Sequence, residues 1–437
     1  MREHRIPRLC LATLVVAIAV IGAACGGQRR SEPTAPVPTE GQPSQAVPTK
    51  AGPTIAVPTK GKLLTATPAR GEPRTDMPMF RGNAARTGVN PGPGVEDSPK
   101  LLWQFDEPTF EEAADCVASP YSSPVVAGGT VYVGAGPDIL RHCVYAFDAA
   151  TGEERWAFEP DGPVKSTPAV AGGVVYFGSG DQNVYAVDAA TGKERWRFKT
   201  DDAVVASPAV VDGVLYGGGG RYFFALDAAT GEKRWTLHTP SRTDLRVDPS
   251  PAVYGGVVYV GSYDGNLYSL DALTGAERWR FPAGELVLST PVVADGVVYV
   301  VTLAAGGRET YLYAVDAATG AEGWRFQTGS LRQGSPAVAD GMVYIGSDDG
   351  YIYALGASDG QQRWRFQTGD AVSSSPTIAD GVVYVGSDDG NLYALEASDG
   401  QERWRFPVGH DFDSSPAVVD GVVYVVADGV LYAIAGQ

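Results

Sequence analysis

The feature that most constrains this chain is a unit that returns about every 40 residues from Lys100 onward, the mark of one supersecondary element stacked on copies of itself. Its clearest copy runs from Ser375 to Phe406 as SPTIADGVVYVGSDDGNLYALEASDGQERWRF. Each copy contains four short strand patterns. Pro-Ala-Val gives strand A, Val-Val-Tyr-Val strand B, Leu-Tyr-Ala-Leu strand C and Arg-Trp-Arg-Phe strand D. Asp-Gly or Gly-Gly joins A to B in every copy, as at Gly128-Gly129, Asp212-Gly213, Asp340-Gly341 and Asp420-Gly421. These pairs supply the positive φ angles that a two-residue hairpin requires. Strand B is apolar without a break, which implies burial on both faces. Strand D alternates Trp and Phe with Arg, as an outer strand with one wet face does.

Spacing supports a fixed module. The Pro of strand A precedes the Tyr of strand B by 8 residues in every copy, from Pro124–Tyr132 to Pro416–Tyr424. The strand C aromatic precedes the strand D Trp by 11, from Tyr145–Trp156 to Tyr393–Trp404. Complete copies end at Trp156, Trp196, Trp235, Trp279, Trp324, Trp364 and Trp404. An eighth begins at Ser414 and reaches strand C at Leu431-Tyr432-Ala433, with no Trp strand after it. One spare Trp strand, Leu101–Phe105 around Trp103, stands before the first copy. Supplying the missing strand from the N-terminal side closes a ring and protects its edges. The expectation is an all-β, eight-bladed β-propeller over 100–437, monomeric, its ring closed by that strand.

The passage from strand C to strand D reads AFDAATGEERW at Ala146, AVDAATGKERW at Ala186, ALDAATGEKRW at Ala225 and AVDAATGAEGW at Ala314, with SLDALTGAERW at Ser269. Later copies drift: Gly356 and Glu396 replace the Asp, and Asp359 and Asp399 the Thr. This resembles the tryptophan-docking motif of quinoprotein-type propellers, A-x-D-x-x-T-G-x-E-x-W. The segment Phe80-Arg81-Gly82-Asn83…Thr87-Gly88 resembles the lead-in of exported members, so 79–99 is set apart as a lead-in. Physically the motif is a fastener: Asp bonds the Thr and the turn backbone, Gly takes a left-handed angle, and each Trp packs on a neighbouring blade. All eight Trp are thereby assigned to docking.

The resemblance implies two functional classes. One is a dehydrogenase holding pyrroloquinoline quinone and Ca²⁺ in the funnel, with a free Trp beneath the quinone and an adjacent Cys pair above it. This chain has neither spare Trp nor adjacent cysteines. The other is a non-catalytic propeller lipoprotein, as in outer-membrane β-barrel assembly. The expectation is a binding scaffold for an envelope protein or small ligand, with no cofactor; the quinone enzyme with Ca²⁺ is the alternative. Asp348-Asp349-Gly350 and Asp388-Asp389-Gly390 read as hairpin turns rather than Ca²⁺ loops, and Gly217 to Gly220 is flanked by strands, unlike a phosphate loop. His142, His238 and His410 stand isolated, and no nucleophile–base pair is recognisable.

The N-terminal quarter reads as export and tethering. Arg2, Arg5 and Arg8 precede an apolar stretch from Leu9 to Gly22, and Gly22-Ala23-Ala24 leads into Cys25. Residues 1–24 are expected to be a signal peptide. Small residues before a Cys resemble a lipoprotein signal that would acylate Cys25; cleavage by ordinary signal peptidase after Ala24 is the alternative. Residues 25–78 repeat Val-Pro-Thr at Val37, Val47 and Val57 and form a tether too poor in apolar residues to fold. The formal charge is −17; removing 1–24 takes away Arg2, Arg5 and Arg8 against Glu3, a net +2, leaving −19. Such a surface repels nucleic acid, and membrane attachment is expected through lipid alone.

Two further expectations concern sites. Cys116 and Cys143 flank loops emerging on one face of the first blade, so a disulfide is expected in an exported protein. Length variation also chooses a face. The Trp-to-Pro span between blades is 12 except at Trp103–Pro124 (21) and Trp235–Pro251 (16). The B-to-C span is 8 or 9 except at Tyr132–Tyr145 (13) and Tyr299–Tyr313 (14). All these insertions lie on the side opposite the A–B turns, bringing Arg141, His142, Arg242, Arg246, Arg308 and Glu309 there as binding candidates.

Overall fold

The computed structural model describes residues 79–90, 92–95, 97–106, 122–136, 142–220, 222–239, 250–284, 286–287, 289–303, 309–329, 334–410, 412 and 414–436. Every regular element among them is a strand. They form eight sheets, each with four strands in the order A-B-C-D, and two of these sheets gain a short fifth strand. Seven blades are consecutive in the chain, at 125–158, 169–199, 209–238, 252–282, 292–328, 337–367 and 377–407.

The eighth blade is assembled from both ends of the repeat region. Ala417–Val419, Val422–Ala427 and Val430–Ala435 are its first three strands, and Lys100–Phe105 pairs antiparallel with the last, Trp103 opposite Ala433. Across the closure Ser415 N–H donates to Ser123 Oγ at 2.8 Å, and a cluster including Tyr424, Val426, Phe147 and Tyr145 packs the last blade on the first.

The turn chemistry read from the sequence holds. Both residues of the blade 1 turn, Gly128 and Gly129, have positive φ (56° and 68°), and Asp212, Asp340 and Asp420 take φ of 48–51° before their glycines. Strand B is buried throughout, as in Thr130–Ala135, whereas strand D is largely exposed. Apolar burial falls into eight clusters, one between each pair of neighbouring blades, so the core is a set of inter-blade seams.

Residues 79–90 and 92–95 form a strap across the strand A edges. The carbonyls of Ala84, Ala85, Thr87 and Gly88 accept from the amides of Val253, Val293, Val338 and Ile378, at 2.7–2.9 Å, on blades 4, 5, 6 and 7 in turn. Val89–Asn90 then runs parallel to strand A of blade 7, and Pro93 O accepts from Gly421 N at 3.2 Å on blade 8. Strand A has no inner neighbour in its own sheet, so the strap satisfies edge groups that the channel would leave bare.

Candidate functional site

The docking motif is fully formed, and it absorbs most of the repeated polar residues. In blade 1, Asp148 Oδ1 accepts from the Thr151 amide at 3.0 Å, and Oδ2 accepts from Arg155 at 2.7 Å. Those donors hold its carboxyl down at about 2, the Arg155 bond first. Where the motif drifts, the carboxylate moves with it. Glu396 holds Arg403, and in blade 6, where Gly356 replaces the Asp, Asp359 binds Arg363 from the turn at 2.8 Å.

Each docking turn presents one Ala carbonyl to the preceding blade. Trp103, Trp156, Trp196, Trp235, Trp279, Trp324 and Trp364 donate their indole N–H to it at 2.9–3.1 Å. The strand B tyrosine beside each Trp donates its hydroxyl to the same oxygen, as Tyr176 does to Ala228 at 3.1 Å. A Cβ on Gly152 would lie 2.7 Å from the Trp103 ring, so the Gly is required for closeness as well as for its φ of 74°.

The eighth Trp differs. Blade 8 has no C–D turn, because its strand D comes from Lys100–Phe105, and the Trp404 indole nitrogen is buried without an acceptor. Val95 of the strap packs into that seam, and its amide donates to Tyr384 Oη at 2.7 Å. The assignment of Trp404 to docking is thus corrected in part: the ring is buried in a blade seam like the others, but it has no docking turn to lie on and its N–H finds no carbonyl.

A second fastener escaped the sequence reading although it was visible as Ser/Thr before Pro at each strand A. The amides of Thr167, Ser207, Thr290, Ser335, Ser375 and Ser415 donate to Ser207, Ser250, Ser335, Ser375, Ser415 and Ser123 Oγ of the following blade, at 2.8–3.3 Å. Arg81 and Arg86 were also missed as anchors. Arg81 donates to Pro376 O at 2.8 Å and to Pro336 O; Arg86 donates to Pro251, Ser207 and Pro208 carbonyls at 2.9–3.0 Å. Burial pushes both guanidiniums down to about 9, so they remain charged near neutrality.

On the opposite side, regular B–C turns are tied down. Tyr185, Tyr268, Tyr353 and Tyr393 donate to Asp181, Asp264, Asp349 and Asp389 at 2.6–2.7 Å, which is what Asp349 and Asp389 do in the hairpins. Burial first, and then the carboxylate, push these phenols up. His410 Nδ1 lies 3.2 Å from Asp388 O, and His238 meets the Tyr222 ring edge-on. Of the binding candidates, Glu309 is exposed and accepts from Tyr311 at 2.7 Å, and His142 is partly buried beside Cys143. Arg141, Arg242, Arg246 and Arg308 lie outside the described residues, as do Cys25 and Cys116. Cys143 is buried and disulfide-bonded. Among the described residues no three His, Cys, Asp or Glu side chains converge as a metal site, and no helix is long and apolar enough to cross a membrane.

Eight four-stranded blades joined through tryptophan-docking turns define the class: a tryptophan-docked β-propeller. The family described as outer membrane protein assembly factor BamB matches residues 140–280, 225–311, 308–390 and 348–437, and the chain belongs to that family. Among solved structures, quinohemoprotein alcohol dehydrogenase from Comamonas testosteroni superposes with TM-score 0.69 at 17% identity, covering 84% of this chain and 82% of that one. BamB from Moraxella catarrhalis gives 0.62 at 19%, covering 77% and 100%. At such identities the likeness is one of fold. A stretch of 53 residues is 49% identical to serine/threonine-protein kinase AfsK of Streptomyces griseus, spanning 12% of this chain and only 7% of the kinase.

Proposed function

We propose that the protein is an exported, lipid-anchored, non-catalytic propeller that binds an envelope protein, or a small ligand, through the face bearing the variable B–C and D–A loops. The observation that carries this reading is the division of labour between the faces. On the A–B side the spans are invariant and the repeated Asp, Thr, Arg and Trp groups are occupied in docking. The strap also crosses the strand A edges there. Length variation is confined to the other side, and loops on a rigid scaffold are where binding groups sit.

The quinone-dependent alternative lacks parts among the described residues. All eight Trp pack in blade seams, and no acidic cluster converges to hold Ca²⁺. Acylation of Cys25 and a Cys116–Cys143 bridge belong to the same proposal. The buried, disulfide-bonded Cys143 supports the second.

Crosslinking in the native host, followed by identification of captured proteins, tests the scaffold role. Trimming 107–117 and 303–309 to the standard loop length should abolish capture, while changes at Asp340, Asp380 and Asp420 should not. Loss of capture from the turn changes instead would place the site on the A–B face and overturn this choice. Dye reduction by protein reconstituted with the quinone and Ca²⁺ would overturn the non-catalytic reading.

A further inference from the structure

The A–B corner of blade 4 differs in two ways from those of the blades on either side of it. Strand A ends in Ala127, Ala171, Val211, Ala294, Ala339, Ala379 and Val419 elsewhere, but in Tyr254 here. Tyr254 is 43% exposed in a molecule whose other strand A ends are small. Its turn is Gly255-Gly256, where an added Cβ would meet nothing within 4 Å, while the flanking blades carry Asp212 and Asp295 at the equivalent place. A groove of about 830 Å³ results, with Tyr254 and the two carboxylates around an apolar floor of Ala84, Ala85, Val253 and Val293. Among the described residues neither Asp212 nor Asp295 makes a hydrogen bond or ion pair.

We propose that this groove binds a basic segment of a protein partner, one Lys or Arg lying on the Tyr254 ring between Asp212 and Asp295. An aromatic face flanked by carboxylates attracts a cation. The apolar floor accommodates the long stem of such a side chain, which buries its methylenes while its head stays polar. Tyr254, Gly255, Gly256 and the two carboxylates stand exposed at the groove's rim, whereas small-ligand sites engulf most of their ligand, so a crossing chain is the better occupant. The site lies on the face opposite the variable loops and is independent of the reading above.

The test is titration of the purified full chain with acetyl-Leu-Lys-Val-Arg-Leu-amide, with its double-Gln analogue, and with argininamide. The basic peptide should bind, and added salt should weaken it. Tyr254→Ala restores the residue of five other blades, and Asp212→Gly with Asp295→Gly restores the Gly-Gly turn of blades 1 and 2, so thermal midpoints should not move. Each change should weaken the basic peptide by about tenfold or more. The proposal is overturned if the variants bind as well as the parent. Equal binding of the Gln analogue, argininamide matching the peptide, or no peptide binding at millimolar concentration would overturn it equally.

Discussion

Asp148, Asp188 and Asp271 each hold an Arg and a turn on the outer surface, and each is held down at about 2 with its Arg bond as the leading cause. A carboxyl depressed in the folded state stabilises fully above the ordinary carboxylate range, near 4, and loses that contribution as pH falls toward 2. The thermal midpoint should therefore decline between pH 4 and pH 2, and Asp188→Asn should flatten that decline. The groups are exposed, so the effect is modest and salt should shrink it. An unchanged slope in the variant would show that other carboxyls set the acid limit. At the docking glycines the effect is steric: a Cβ on Gly231 would lie 2.7 Å from the Trp196 ring at a φ of 74°. Gly231→Ala should cost about 1–3 kcal/mol in denaturant unfolding. The turn and packing roles were legible because the motif recurs with its spacing intact; the Arg bond was not read from it, although the Asp-to-Glu and Thr-to-Asp drift left an Arg partner in place each time.

At the scale of elements, two neighbouring seams make an internal comparison. Trp364 donates to Ala397 O at 3.0 Å, whereas Trp404 is buried against the strap with its N–H unmet. Trp364→Phe loses a hydrogen bond and strands nothing favourable in its place. Trp404→Phe removes a donor that already bears its desolvation cost. The first should be more destabilising by about 1 kcal/mol, measured by chemical denaturation of both variants. Equal losses would mean that ring area alone governs the seams. The strap itself was only half legible. Its residues stood out by resemblance, but the bonds from Ala84, Ala85, Thr87 and Gly88 use backbone carbonyls, which leave no side-chain signature. Arg81 and Arg86 likewise bind carbonyls rather than acids, so no charge pattern announced them. The binding candidates on the variable loops were chosen by length alone, and most fall outside the described residues.

For the whole molecule the decisive contact is the closure of the ring. The count of blades was readable because one Trp strand was surplus at the front and one was missing at the back. The physical demand is the same one: without Lys100–Phe105, Val430–Ala435 is a bare edge and the first blade has no Trp docked on its turn. Removing that strand also uncovers Tyr145, Phe147 and Tyr424, which pack on Phe105 and Trp103. Closure couples all eight seams, since opening one lets its neighbours separate in turn. Deleting residues 100–105 should therefore lower the thermal midpoint sharply and broaden the transition. Deleting residues 26–75 removes a segment whose composition offers little apolar surface to bury, and should leave the midpoint where it was. Calorimetry of the two deletions beside the parent chain decides the matter, and equal midpoints for both would refute closure as the source of the ring's stability.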